Sequence, residues 1–109
     1  MAEKYELLPG TLDLLVLRVL RRGELHGWGI TNRLEQISKS ALQVDEGSLY
    51  PALYRMEAKG WIEAEWKTTE NNRRAKYYRL TRAGRKQLET EHEIWDRTSA
   101  IIALVLDSA

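Results

Sequence analysis

The spacing of apolar residues changes twice along this chain, from three-and-four to two and back again, and that alone sets the order of its elements. Leu12, Leu15, Val16, Val19 and Leu20 share one helical face, with Thr11 offering an N-cap hydroxyl and Arg21, Arg22 and Gly23 supplying a basic last turn and a stop. Pro9-Gly10 closes off any helix before it. Past the connector His26-Gly27-Trp28-Gly29, a shorter stripe of Ile30, Leu34 and Ile37 predicts a second helix over about 26–38. A turn through Ser38 to Asp45, anchored by Leu42 and Val44, leads to a third stripe of Leu49, Leu53 and Met56 that ends at Lys59-Gly60. Pro51 has no amide hydrogen and is tolerated best in a first turn, so this helix is expected to start near Gly47 or Ser48.

The period then falls to two. Ile62, Ala64 and Trp66 alternate with Trp61, Glu63 and Glu65, and Lys76, Tyr78 and Leu80 alternate with Tyr77 and Arg79. The polar stretch 67–74 between these runs makes them a hairpin, with Asn71-Asn72 suited to positive φ at its tip. Thr81 caps a last helix from near Arg82, where Leu88, Trp95, Ile102 and Val105 or Leu106 keep a near-heptad spacing widened by Ile94, Ile101 and Leu104. About twenty-five residues at ~1.5 Å each make it longer than the body it leaves. Its apolar end either folds back on the first helix or meets a second chain.

The 109 residues fit one compact unit, read as a body over 1–81 and a C-terminal helix over 82–109. Cysteine is absent and only His26 and His92 could offer imidazole, which removes disulfides, thiolate chemistry and zinc sites. No metal or cofactor is expected. The longest apolar run, residues 100–106, is far too short to span a bilayer, and the polar opening 1–6 is unlike a secretory leader, so a cytoplasmic location is expected. No phosphate-binding glycine loop, nucleophile elbow or paired histidine and carboxylate is present, so an enzyme is not expected.

A formal charge of +1 hides a strong asymmetry. Residues 67–86 hold Lys67, Arg73, Arg74, Lys76, Arg79, Arg82, Arg85 and Lys86 against Glu70 alone, whereas the segments on either side are net acidic. Such a field within about a Debye length suits an anionic partner. Three helices followed by a basic hairpin is the order of a winged helix-turn-helix, mainly α with a small β-hairpin, whose third helix enters a DNA major groove while the wing lies over the backbone. Lys67, Arg73, Arg74 and Lys76 are then candidate phosphate contacts, or else solvated wing charges. Ser48 and Tyr50 are candidate DNA contacts, or else cap and packing groups. His26 reads as a hydrogen-bonding residue at a helix start, and Trp28, Trp61 and Trp66 as core and hairpin packing. A winged helix that contacts only protein is the alternative, and a flat salt dependence of binding would distinguish it.

Gly10-Thr11-Leu12, His26-Gly27-Trp28-Gly29-Ile30, the run from Glu46 to Leu53 (EGSLYPAL), the run from Leu53 to Ile62 and that from Tyr77 to Gly84 together resemble the PadR family of bacterial transcriptional regulators across about 8–106. Trp28 stands where family members commonly have tyrosine. The resemblance implies a homodimeric repressor bound to a pseudo-palindromic double-stranded DNA operator in the nucleoid and released by a small-molecule inducer. It also implies the short form, with a single C-terminal dimerisation helix that buries Leu88, Trp95, Ile102, Val105 and Leu106. Trp95 is then either interface core or one wall of an effector pocket for planar aromatic compounds.

Overall fold

The computed structural model describes residues 10–108; Pro9, expected to stop any earlier helix, and the polar opening 1–6 lie outside them. Helix α1 (Thr11–Leu20) is the centre of the body, contacted by α2 (Gly27–Ile37), α3 (Glu46–Ala58), α4 (Arg82–Leu106) and strand β3 (Arg74–Leu80). It therefore buries more than one stripe. Leu17, outside the expected face, is as fully buried as Val16, and Val19 and Leu20 join them. Gly10, in the left-handed region at φ 86°, precedes the helix, and no side chain caps it, so the Thr11 hydroxyl does not play the expected role.

His26 caps α2: its Nδ1 accepts the Gly29 amide hydrogen at 2.9 Å. Ile30 and Leu34 reach the core, but Ile37 at the C-terminal end is exposed. α3 begins one or two residues earlier than Pro51 suggests, because Asp45 supplies the cap: its Oδ1 accepts the Ser48 amide hydrogen at 2.8 Å. Pro51 sits in the second turn, where it withholds only the bond that position 51 would give Gly47. Leu49, Leu53 and Met56 are buried as their spacing requires, with Leu42 and Val44 packed against them.

The hairpin forms from β2 (Ile62–Thr68) and β3, longer at the tip than the alternation implies by two residues on β2 and one on β3, so Lys67, Thr68 and Arg74 are strand residues. Asn72 alone of the tip pair takes positive φ, at 59°. Sequence spacing did not reveal a third strand, β1 (Leu25–His26), which pairs with Tyr78 and Tyr77 to give the antiparallel order β1-β3-β2. Ile62, Ala64, Trp66 and Thr68 lie opposite Leu80, Tyr78, Lys76 and Arg74 on one sheet face, while Glu63, Glu65 and Lys67 share the other with Arg79, Tyr77 and Ala75. Burial of Ile62, Tyr78 and Leu80 seats the first face on the helices. Each fully buried aliphatic side chain of this core contributes roughly 1.5–3 kcal/mol. An ion pair of 2.6 Å between Arg55 and the nearly buried Asp13 ties α3 to α1.

Thr81 caps α4 by accepting the Gly84 amide hydrogen at 3.0 Å. Gly84 and Leu88 are buried, but beyond Glu91 the helix is exposed almost all round. Leu88, expected on the shared seam, belongs instead to the chain's own core, because the first turns of α4 lie on α1. Trp95, Ile102, Val105 and Leu106 remain exposed, so the helix does not fold back over the body along its apolar end. A radius of gyration of 15.5 Å exceeds the roughly 13 Å of a compact chain this long, as a projecting helix requires.

Candidate nucleic-acid interface

The basic segment resolves into charges that are satisfied within the chain and charges that are not. On one sheet face, Lys67 donates to Glu24, and Arg79 bonds Glu63 at 2.8 Å and Glu65 at 3.2 Å. On the opposite face, Lys76 donates to Glu57 of α3 at 3.1 Å. These hydrogen bonds hold the protonated forms: Glu24 raises the pKa of Lys67, Glu57 that of Lys76, and Glu63 with Glu65 that of Arg79. Burial likewise raises that of the Tyr78 phenol beside them. Among the described residues no carboxylate pairs with Arg73 or Arg74, both exposed at the wing tip. An anion would therefore meet these two arginines without competition from a described carboxylate, while Lys67 and Lys76 would have to share their protons.

The expected residues do not all gather in one place. Arg73, Arg74, Lys76 and Tyr50 line a single cleft of about 570 Å³ between the wing and the starts of α2 and α3. Lys67, on the other sheet face, lies outside it. Ser48 is exposed in the first turn of α3, its amide hydrogen held by Asp45. Tyr50 leans back over the first turn of α2, so close that a Cβ at Gly27 would fall 2.5 Å from its hydroxyl oxygen. Glycine at 27 is what lets the ring settle there.

Two aromatic residues at this surface are positioned otherwise than expected. Trp28 and Trp66, expected to pack in the body and hairpin, are 70% and 58% exposed and line the same cleft, with the Arg74 guanidinium 5.7 Å from the Trp66 ring. Trp61 does pack against the core, under the Lys59 ammonium. Tyr54, one turn after Tyr50, is 78% exposed on α3 and was not singled out by motif. The available signal was that position 54 falls outside the buried stripe of Leu49, Leu53 and Met56. Trp95 is half-exposed on α4, away from the cleft.

A model of the transcriptional regulator PadR-like family matches residues 16–90. The chain belongs to the PadR-like family. A transcriptional regulator from Clostridium thermocellum is similar in fold, with a TM-score of 0.80 and 29% identity, covering 86% of this chain and 91% of that one. A PadR-like regulator from Bacillus cereus gives a TM-score of 0.77 and 29% identity over 92% of this chain and 95% of that one. A Mycobacterium tuberculosis transcriptional regulator is 35% identical over 75 residues, 69% of this chain and 66% of that protein. The PadR-like family is one of transcriptional regulators rather than enzymes, and a winged helix accounts for the three helices and the sheet that precede α4 in this member. Among the described residues no helix is long and apolar enough to cross a membrane, and no cluster of His, Asp and Glu could hold a metal ion.

Proposed function

We propose that this PadR-family regulator is a sequence-specific, homodimeric DNA-binding protein that represses transcription from a pseudo-palindromic operator. The observation that carries the reading is the pair of unmatched arginines, Arg73 and Arg74, beside the exposed start of α3. Each body, residues 1–81, sets α3 into a major groove with Ser48 and Tyr50 at its N-terminal turn, and lays its wing over flanking phosphates through Arg73, Arg74, Lys76 and Lys67. Residues 82–109 pair two chains through Trp95, Ile102, Val105 and Leu106, whose exposure in a single chain is the motive for a partner. Half-sites about 34 Å apart, one turn of duplex, suit two such bodies, and an occupied operator blocks polymerase in the cytoplasm. Release falls to a planar aromatic effector held against Trp95, which shifts the pair toward a spacing that does not fit the operator by binding that state more tightly. A Trp95→Ala chain that keeps the wild-type response would remove the effector assignment.

Selection from a random duplex pool, followed by fluorescence anisotropy across a range of salt, tests the reading. The expected result is an inverted repeat bound by a dimer, with affinity falling steeply as salt rises and a slope reduced by about one when Arg73 or Arg74 is changed to alanine. No enrichment and weak, salt-independent binding would overturn it in favour of a winged helix that contacts protein.

A further inference from the structure

The cleft between the wing and α3 has apolar walls that none of the described residues covers. Trp28, in the first turn of α2, and Trp66, on β2, are the two most exposed tryptophans, and both face this one cleft. A single exposed aromatic is ordinary on a protein surface, but two indoles along one groove make a surface suited to being covered. The rim charges are positive. Arg74 is held at the edge by its contact with the Trp66 ring, Arg73 stands beside it, and Lys76 has its ammonium on Glu57. The cleft is open rather than enclosed, so a small molecule would leave much of its own surface in water, unlike ligands of pockets that bury most of theirs. An occupant that alternates apolar rings with anions and continues past both ends of the groove satisfies all three features. The deoxyribose–phosphate backbone of a duplex strand has that composition.

We propose that one DNA strand runs through this cleft, with Trp28 and Trp66 packed against its sugars and Arg73 and Arg74 on the adjoining phosphates. The assignment rests on the DNA-binding function proposed above and adds two contacts of a different physical kind. Phosphate contacts release counterions and weaken with salt, whereas packing of an indole on a sugar releases none. The tryptophans therefore supply affinity that survives added salt.

The test is anisotropy on the selected duplex at several salt concentrations for the wild-type chain, Trp28→Ala, Trp66→Ala, Trp66→Phe and Arg73→Ala. Both tryptophan side chains are exposed, so the helical circular dichroism and thermal midpoint of their variants should match the wild type. Each tryptophan-to-alanine change is expected to weaken binding roughly five- to tenfold at every salt concentration while leaving the salt slope unchanged. Trp66→Phe should recover most of the loss, and Arg73→Ala should lower the slope instead. Wild-type affinity in both alanine variants, with the wild-type chain binding normally, would overturn the strand assignment alone. Failure of the wild-type chain to bind any duplex would overturn the DNA-binding function and the assignment with it.

Discussion

Tyr50 rests on Gly27: the phenol of α3 lies where a side chain at position 27 would begin, with its hydroxyl oxygen 2.5 Å from that point. A Gly27→Ala chain must swing the ring away, which is cheap because the obstructed atoms are the far end of a side chain rather than backbone. The expected outcome is a folded protein with a thermal midpoint within a few degrees of wild type and DNA binding weakened roughly tenfold. Tyr50→Phe keeps the ring in place and isolates the hydroxyl. Equal loss across all duplex sequences marks it as a backbone contact, and a changed preference marks it as a base contact.

Tyr54 is the large side chain of α3 most open to solvent. With Tyr50 turned toward α2, position 54 is the one offering an aromatic plane and a hydroxyl outward from the helix. Tyr54→Ala should alter which duplexes are recovered in selection, with a penalty of roughly 1–3 kcal/mol confined to one or two base pairs of each half-site. An unchanged recovered sequence would remove it from base reading.

Gly84 meets backbone, where the obstruction is of another order. A Cβ there would fall 1.9 Å from the carbonyl oxygen of Trp61, which accepts the Thr81 amide hydrogen at 3.1 Å. Gly84→Ala must part α4 from the hairpin base and break that bond, a cost of roughly 3 kcal/mol or more. Thermal unfolding should show a midpoint lower by on the order of 10–20 °C.

The free half of α4 predicts a concentration-dependent assembly. Ile102→Asp places a carboxylate in the middle of the exposed apolar face and should convert a dimer to a monomer in sedimentation at micromolar protein, with the helical content of the body retained. Operator affinity should fall with it, because two linked half-sites bind more tightly than one. The same substitution at Leu88, inside the core, should unfold the chain instead.

Besides Arg79, three groups hold their protons more tightly in the folded chain: Lys67 through its hydrogen bond with Glu24, Lys76 through that with Glu57, and Tyr78 through burial. For a raised pKa the unfolded chain loses its proton first as pH rises, so this stabilisation is complete below the ordinary values of 10.0 for tyrosine and 10.5 for lysine and is lost above them. Urea midpoints should therefore decline above about pH 10, and Tyr78→Phe should remove part of that decline.

Much of this architecture was legible because it depends on neighbours in sequence. Thr81, the stripe from Leu49 to Met56 and the positive φ of Asn72 follow from local chemistry, and the bounds of α4 with them. What escaped depends on residues distant along the chain. Two residues of β1 have no periodicity to read and exist only because β3 presents a free edge to Leu25 and His26. Lys67 and Lys76 looked like free wing charges until the fold brought Glu24 and Glu57 beside them. Trp28 and Trp66 read as packing residues, yet the core closes without them. Leu88 follows the apolar spacing of α4, but only the placement of α1 decides that this part of the stripe is used at home.

Thr81 is the one residue between the wing and α4. Its amide donates to Trp61, and its hydroxyl donates to Gly60 at 2.6 Å while receiving the Gly84 amide hydrogen. A hairpin and a twenty-five-residue helix are joined this way as the two arms of a bell crank, with one hydrogen-bonded residue at the pivot. A rotation of the helix about this junction would have to break these hydrogen bonds or carry the hairpin with it. Wherever two such helices are clasped, the reach of the paired wings is gauged by an angle at a threonine and not by the length of a tether.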